Sequence, residues 1–204
     1  MKEYSRGSEW RRWDLHVHTP GTNKNDQYEG TTIEECWDGF YRTISDYVGD
    51  GSDKVKSIVS IGITDYLSIE NYKKVIAEKR LPDTIKLVIP NVELRMTPMS
   101  RNEGINIHFL FNPVVVDELE DRFFSKLSFE YKDRPYSATK AQLVSLGKAL
   151  DSSLTEDKAY LKGVGQFIPS VDSLKKLFSN DPELRENTII IVSNSSNDGV
   201  TGAA

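Results

Sequence analysis

Histidine and cysteine are scarce in this chain of 204 residues, which has three histidines and one cysteine, Cys36. A single thiol excludes an intrachain disulfide and points to a reducing compartment. Basic charge is not in excess either. The net charge is −5, so no overall cationic footprint argues for nucleic acid or an anionic membrane, although a local basic groove stays compatible with it. Long hydrophobic runs are missing too. None approaches the roughly 18 apolar residues of a membrane helix. The opening "MKEYSRGSEWRRWD" lacks the apolar stretch of a signal peptide. These absences give the expectation of a cytoplasmic protein with no membrane partner. There is no internal repeat and no low-complexity tract.

What is present suits one soluble domain over residues 1–204, with 38% apolar and 28% charged residues. Five segments have the length and β-branched content of strands: "WDLHVH" (13–18), "SIVSIGIT" (57–64), "IKLVIPNVEL" (85–94), "INIHFLF" (105–111) and "TIIIVSN" (188–194). Their nearly continuous apolar runs predict strands covered on both faces. Helical spacing predicts helices over 32–48, 68–80, 117–127, 137–153 and 170–179. Thr31 or Thr32 suits the cap of the first, Ser68 that of the second, and Ser170 or Asp172 that of the last. The alternation predicts an α/β sheet or barrel with mostly parallel strands. The last strand runs into "SSNDGVTGAA" and stops, which predicts that the chain is the N-terminal part of something longer.

The scarce histidines fall on predicted strands. His16 and His18 are two residues apart, so both lie on one face of the first strand. Asp65 and Glu93 stand near the ends of the second and third strands, and His108 lies within the fourth. In parallel α/β folds the site forms at the C-terminal strand ends. Imidazole with carboxylate is the donor mixture for Zn²⁺, Mn²⁺ or Fe²⁺. The two oxygens of Glu93 suit it to bridging a pair of ions. Each residue also has a plainer reading. A lone His-x-His is as often packing. Asp65 suits a cap for the helix near Ser68, Glu93 a pair with Arg95, and His108 a core histidine. Taken together they favour a metal site, because several buried charges converging in one place need a partner.

"DLHVHTP", "GITDY", "NVEL" and "NIHFL", in that order, resemble the PHP (polymerase and histidinol phosphatase) domain family over about the first half of the chain. "GSEWRRWDLHVHTP" and the tail "SNSSNDGVTG" are similar, more narrowly, to the PHP domains fused to AAA/SMC-type ATPases, the TrlF-like group. The resemblance implies a distorted (β/α)7 barrel, incomplete in this chain. It implies a divalent-metal phosphoesterase with two Mn, Zn or Fe ions, acting on phosphorylated small molecules or nucleic acid. His16 and His18 would hold the first ion, Glu93 would bridge, His108 would hold the second, and Asp65 would orient or deprotonate water. Two features depart from the family pattern. Tyr66 stands where the family has a histidine after Asp65, and no histidine follows His108 to complete the later ligands. These departures favour a rival, a non-catalytic module that assists a fused ATPase or senses DNA ends. A third reading is a hydrolase of amide or cyclic substrates. Glu29 offers a further acid after the His-x-His. Arg95 and Arg101 are the nearest cations for phosphate, although solvated surface is their commoner role. Trp10, Arg11, Arg12 and Trp13 form a basic-aromatic cluster suited to packing at a barrel bottom or to stacking on a nucleotide.

Overall fold

The computed structural model describes residues 11–24, 26–52, 57–100 and 103–192, with backbone alone at 98–100 and 103. Trp10, Arg101 and the tail "SNSSNDGVTG" lie outside the described residues. In chain order the elements are β1 (Arg12–His18), α1 (Ile33–Val48), β2 (Ile58–Tyr66), α2 (Glu70–Glu78), β3 (Leu87–Ser100) and β4 (Glu103–Phe111). A 3-10 segment (Pro113–Glu118) and a π-helical turn (Glu120–Phe124) follow, where the sequence predicts one α-helix over 117–127. Then come the hairpin β5 (Ser128–Tyr131) and β6 (Arg134–Ser137), helices α3 (Lys140–Leu150), α4 (Glu156–Gln166), α5 (Val171–Asn180) and α6 (Pro182–Glu186), and β7 (Thr188–Val192).

The main sheet has the order β1-β2-β3-β4-β7. β1–β2 and β2–β3 are parallel, while β3–β4 and β4–β7 are antiparallel. Among the described residues β1 and β7 stand at opposite edges and do not pair, so the sheet is open and mixed. This corrects the (β/α)7 barrel expected from the family resemblance, and equally the mostly parallel sheet. β3 ends at Ser100 and β4 begins at Glu103, a gap too short for the crossover helix that a parallel strand needs.

The sheet is nevertheless strongly curled. His16 on β1 and His108 on β4 have ring centroids 4.6 Å apart. Their strands are three positions apart, about 14 Å in a flat sheet. One face is therefore concave, and the histidines line it.

The other face carries the core. Ile61 and Ile63 of β2 pack with Val17 against Trp37, Phe40, Ile44 and Val48 of α1 and Val75 of α2. Val92, Leu94 and Met96 of β3 and Phe109 and Phe111 of β4 pack against Phe123, Leu143, Leu146, Val164 and Phe178. Burial of each such side chain stabilises the fold by about 1.5–3 kcal/mol before entropy is counted. α1 starts at a reciprocal cap: the Glu35 N–H donates to Thr32 Oγ1 at 3.2 Å, and the Thr31 N–H donates to Glu35 Oε2 at 2.8 Å. Ser170 caps α5 by accepting from the Ser173 N–H. The expectation of strands apolar on both faces holds only for the helix side. On the concave side Thr64, Asn91, Glu93, Asn106 and His108 are buried polar residues.

Candidate metal centre

Strand pleating sorts the candidate residues between the two faces. Glu93 is paired with His108 across β3–β4 and with Tyr66 across β2–β3, while Asp65 is paired with Val92. Directly paired residues share a face and neighbours in sequence alternate. Glu93 and His108 thus meet on the concave side, and Asp65 faces the helices with Val92.

β1 reaches the same side through a bulge. Asp14 pairs with Ile61 and Val17 with Ile63, so Leu15 and His16 together oppose Gly62. The Leu15 carbonyl folds over Gly62 so closely that an added Cβ would lie 2.3 Å from its oxygen. Only glycine fits there. The bulge delivers both imidazoles to the concave face.

Four of the five expected ligands come together. His16 Nε2 and His18 Nε2 are 3.0 Å apart, and Glu93 Oε2 lies 3.7 Å from the first and 3.6 Å from the second. Donor atoms of His16, Glu93 and His108 all lie within 4.8 Å of one another. In a tetrahedral site with about 2.0–2.1 Å bonds, ligand atoms sit about 3.3 Å apart. The His16–His18–Glu93 triangle has edges of that size. Glu93 is 5% exposed. Its Oε1 accepts from Asn106 Nδ2 at 2.9 Å, while its buried Oε2 accepts no hydrogen bond among the described residues. A buried carboxylate oxygen without a donor is costly, and a cation between it and the two imidazoles would satisfy it. The donor set and its spacing therefore fit a divalent ion. A cleft of about 250 Å³ opens beside the group, lined by His16, Asn91, His108, Leu110 and Ile191.

The electrostatics agree with this chemistry. Burial alone would raise the Glu93 carboxyl. The His16 and Asn106 contacts and the charges of His108 and His18 outweigh it and hold the group at about 2. Burial lowers the His18 pKa, with Glu93 opposing. Both shifts favour the forms a metal needs, an ionised carboxylate and a neutral imidazole.

Asp65 is not brought to this group. It is 2% exposed, and its two oxygens accept from the Asn71 backbone N–H and side-chain amide, each at 3.0 Å. It holds the first turn of α2, where Ser68 accepts from the Glu70 N–H at 3.1 Å. Burial pushes the Asp65 carboxyl up to about 6 against the Asn71 bonds. Tyr66, the last residue of β2, accepts the Arg95 backbone N–H on its phenol oxygen at 3.1 Å. Burial pushes that phenol up to about 12, so it stays neutral. Arg95 donates to the Gly104 carbonyl at 3.2 Å. Glu29 is exposed in the loop before α1. Trp13 is 56% exposed and does not pack beneath a barrel; with Arg11 and Lys86 it borders a groove of about 640 Å³ at the N-terminal ends of the strands.

Residue-by-residue reading of the sequence passes over Gly62, Asn91 and Asn106. A signal for the asparagines does exist. "NVE" and "NIH" each place an asparagine two residues before a ligand, on the same strand face. No family model, curated protein or solved structure matches the chain, and the reading of the site rests on its donor atoms and their geometry.

Proposed function

We propose that this chain is a divalent-metal-dependent phosphoesterase domain whose substrate is a phosphorylated small molecule or nucleic acid. The observation that supports it most is the His16–His18–Glu93 triangle, with His108 beside it and one buried carboxylate oxygen lacking a donor. His16, His18 and Glu93 would hold one ion. His108 would complete that set or help hold a second ion of the Mn, Zn or Fe class. When bound, such an ion supplies Lewis-acid polarisation of a phosphoryl oxygen and lowers the pKa of water. The chain's own part is to keep Glu93 ionised, to disfavour the protonated form of His18 by burial and to shape the cleft beside them. The phosphoester class rests on the resemblance of the ordered motifs from "DLHVHTP" to "NIHFL" to the PHP family.

A second reading is favoured by Asp65, which is committed to α2 and faces away from the cluster. Under it the domain binds metal but does not turn over substrate, and serves a partner or fused ATPase.

One experiment separates the readings. The metal-free chain is reloaded with Mn²⁺, Zn²⁺ or Fe²⁺ and assayed on p-nitrophenyl phosphate, bis-p-nitrophenyl phosphate and 3′-labelled DNA. Metal-dependent turnover that disappears in Glu93→Gln is expected. Stoichiometric metal without turnover gives the second reading. No bound metal removes both.

A further inference from the structure

The geometry points to Asn91 and Asn106 as a reciprocal pair of positioning residues that set which atoms of His108 and Glu93 face the ion. This rests on the metal-site reading above and concerns how that site is built.

The two asparagines are related by the antiparallel β3–β4 ladder. Glu93 and His108 are directly opposite each other. Asn91 precedes Glu93 by two residues and is diagonal to His108; Asn106 precedes His108 by two and is diagonal to Glu93. Each amide reaches across the ladder to the other strand's ligand. Asn106 Nδ2 donates to Glu93 Oε1 at 2.9 Å, and Asn91 Oδ1 meets His108 Nδ1 at 3.3 Å. Both asparagines are buried, at 1% and 5% exposure.

Hydrogen-bond logic orients the Asn91 side. Its Nδ2 lies 2.8 Å from the Leu15 carbonyl oxygen, which can only accept, so the amide nitrogen must face it. The same nitrogen lies 3.0 Å from Thr64 Oγ1. The amide oxygen is then the atom that faces His108 Nδ1, and an oxygen there can only accept. Nδ1 must carry the proton, and the lone pair sits on Nε2. A fixed carbonyl in β1 thus sets the tautomer of a histidine three strands away. The same contact pins the Leu15–His16 bulge that places His16.

Asn106 acts on Glu93 in the complementary way. By donating to Oε1 it fixes the carboxylate plane and leaves Oε2 toward His16 and His18. Partners of this kind, which orient metal ligands and set their tautomer, typically contribute 10–100-fold to metal affinity.

The test combines two measurements. Two-bond ¹H–¹⁵N spectra of the imidazoles in the metal-free protein, with His108 assigned through His108→Gln, report the tautomer. Competition with a zinc chelator reports affinity for Zn²⁺. The wild type is expected to carry the His108 proton on Nδ1. Asn91→Ala is expected to shift that proton toward Nε2. Asn91→Ala and Asn106→Ala are each expected to lower Zn²⁺ affinity by about 10–100-fold. Wild-type His108 protonated on Nε2 overturns the proposal, as does unchanged affinity in both variants. A role confined to packing would lower the melting temperature and leave the tautomer in place. If Asn91→Ala does not fold, the wild-type tautomer and Asn106→Ala decide. If the wild type takes up no Zn²⁺, the metal reading fails, and the tautomer in the metal-free protein still decides the asparagine assignment.

Discussion

Glu93 and Asp65 lie one register position apart on adjacent strands, both almost fully buried, yet their acidities move in opposite directions. Glu93 is held at about 2 and Asp65 is pushed up to about 6. Burial acts on both in the same sense. The difference lies in what each face supplies. The concave face sets imidazoles and an amide around Glu93, enough to outweigh desolvation. The helix face gives Asp65 the Asn71 bonds, which do not outweigh it. One face of the sheet thus favours the charged carboxylate, and the other disfavours it.

Four substitutions sharpen or break that contrast. The largest effect on the concave face is expected from Glu93→Gln, which removes the only ionised donor in the His16–His18–Glu93 triangle. Loss of stoichiometric metal with a retained fold, read by dialysis and circular dichroism, is the expected result. On the helix face Phe109→Ala opens a cavity beside Phe111, Phe123 and Phe178. Urea unfolding should show a loss of about 3–5 kcal/mol, with metal affinity of the folded protein unchanged. A change in affinity would mean that the two faces are not separate.

The pH dependence of the metal-free protein comes next. The folded-state pKa of Asp65 lies above its ordinary 3.8, so its contribution is full below that pH and is lost as the pH rises through about 6. The loss amounts to roughly 3 kcal/mol. Glu93 runs the other way. Its folded-state pKa lies below the ordinary 4.5, so its contribution is full above that pH and is lost as the pH falls toward about 2. Asp65→Asn should remove the decline in stability between pH 3.8 and about 6 and leave the acid limb set by Glu93 intact. The smallest effect is expected from Tyr66→Phe. It strips the acceptor from the Arg95 N–H, costs about 1 kcal/mol, and leaves metal affinity unchanged. A fall in affinity would place the phenol in the site.

Much of the secondary structure is legible in the sequence, because it depends on local pattern. β1, β2, β4 and β7 fall where β-branched content puts them, and α1 and α5 where apolar residues recur at helical spacing. Strand direction is not a local property. Nothing within "INIHFLF" says that β4 runs antiparallel to β3. The β5–β6 hairpin is hidden because Lys132 and Asp133 both adopt positive φ without the glycine or asparagine that usually marks such a turn. α4 falls outside the helices that the sequence predicts, and Gly163 and Gly165 weaken its helical pattern. Gly163 is there because its neighbour helix α3 comes so near that an added Cβ would lie 1.9 Å from the Leu143 oxygen.

The candidate site is legible to a similar extent. His16, His18, Glu93 and His108 share strand faces that period-two alternation reveals. Asp65 could be assigned to a face only with the β2–β3 register, which long-range pairing sets. The bulge at Leu15 and His16 is equally a product of pairing, visible once Gly62 is seen to lie beneath it.

The central claim is that the concave face holds a divalent cation between His16, His18 and Glu93. The most direct test is metal content after the metal-free protein is loaded with Zn²⁺ or Mn²⁺ and dialysed exhaustively. At least one equivalent in the wild type, lost in both His16→Ala and Glu93→Gln, is the predicted result. Less than one equivalent, unchanged by either substitution, would contradict it.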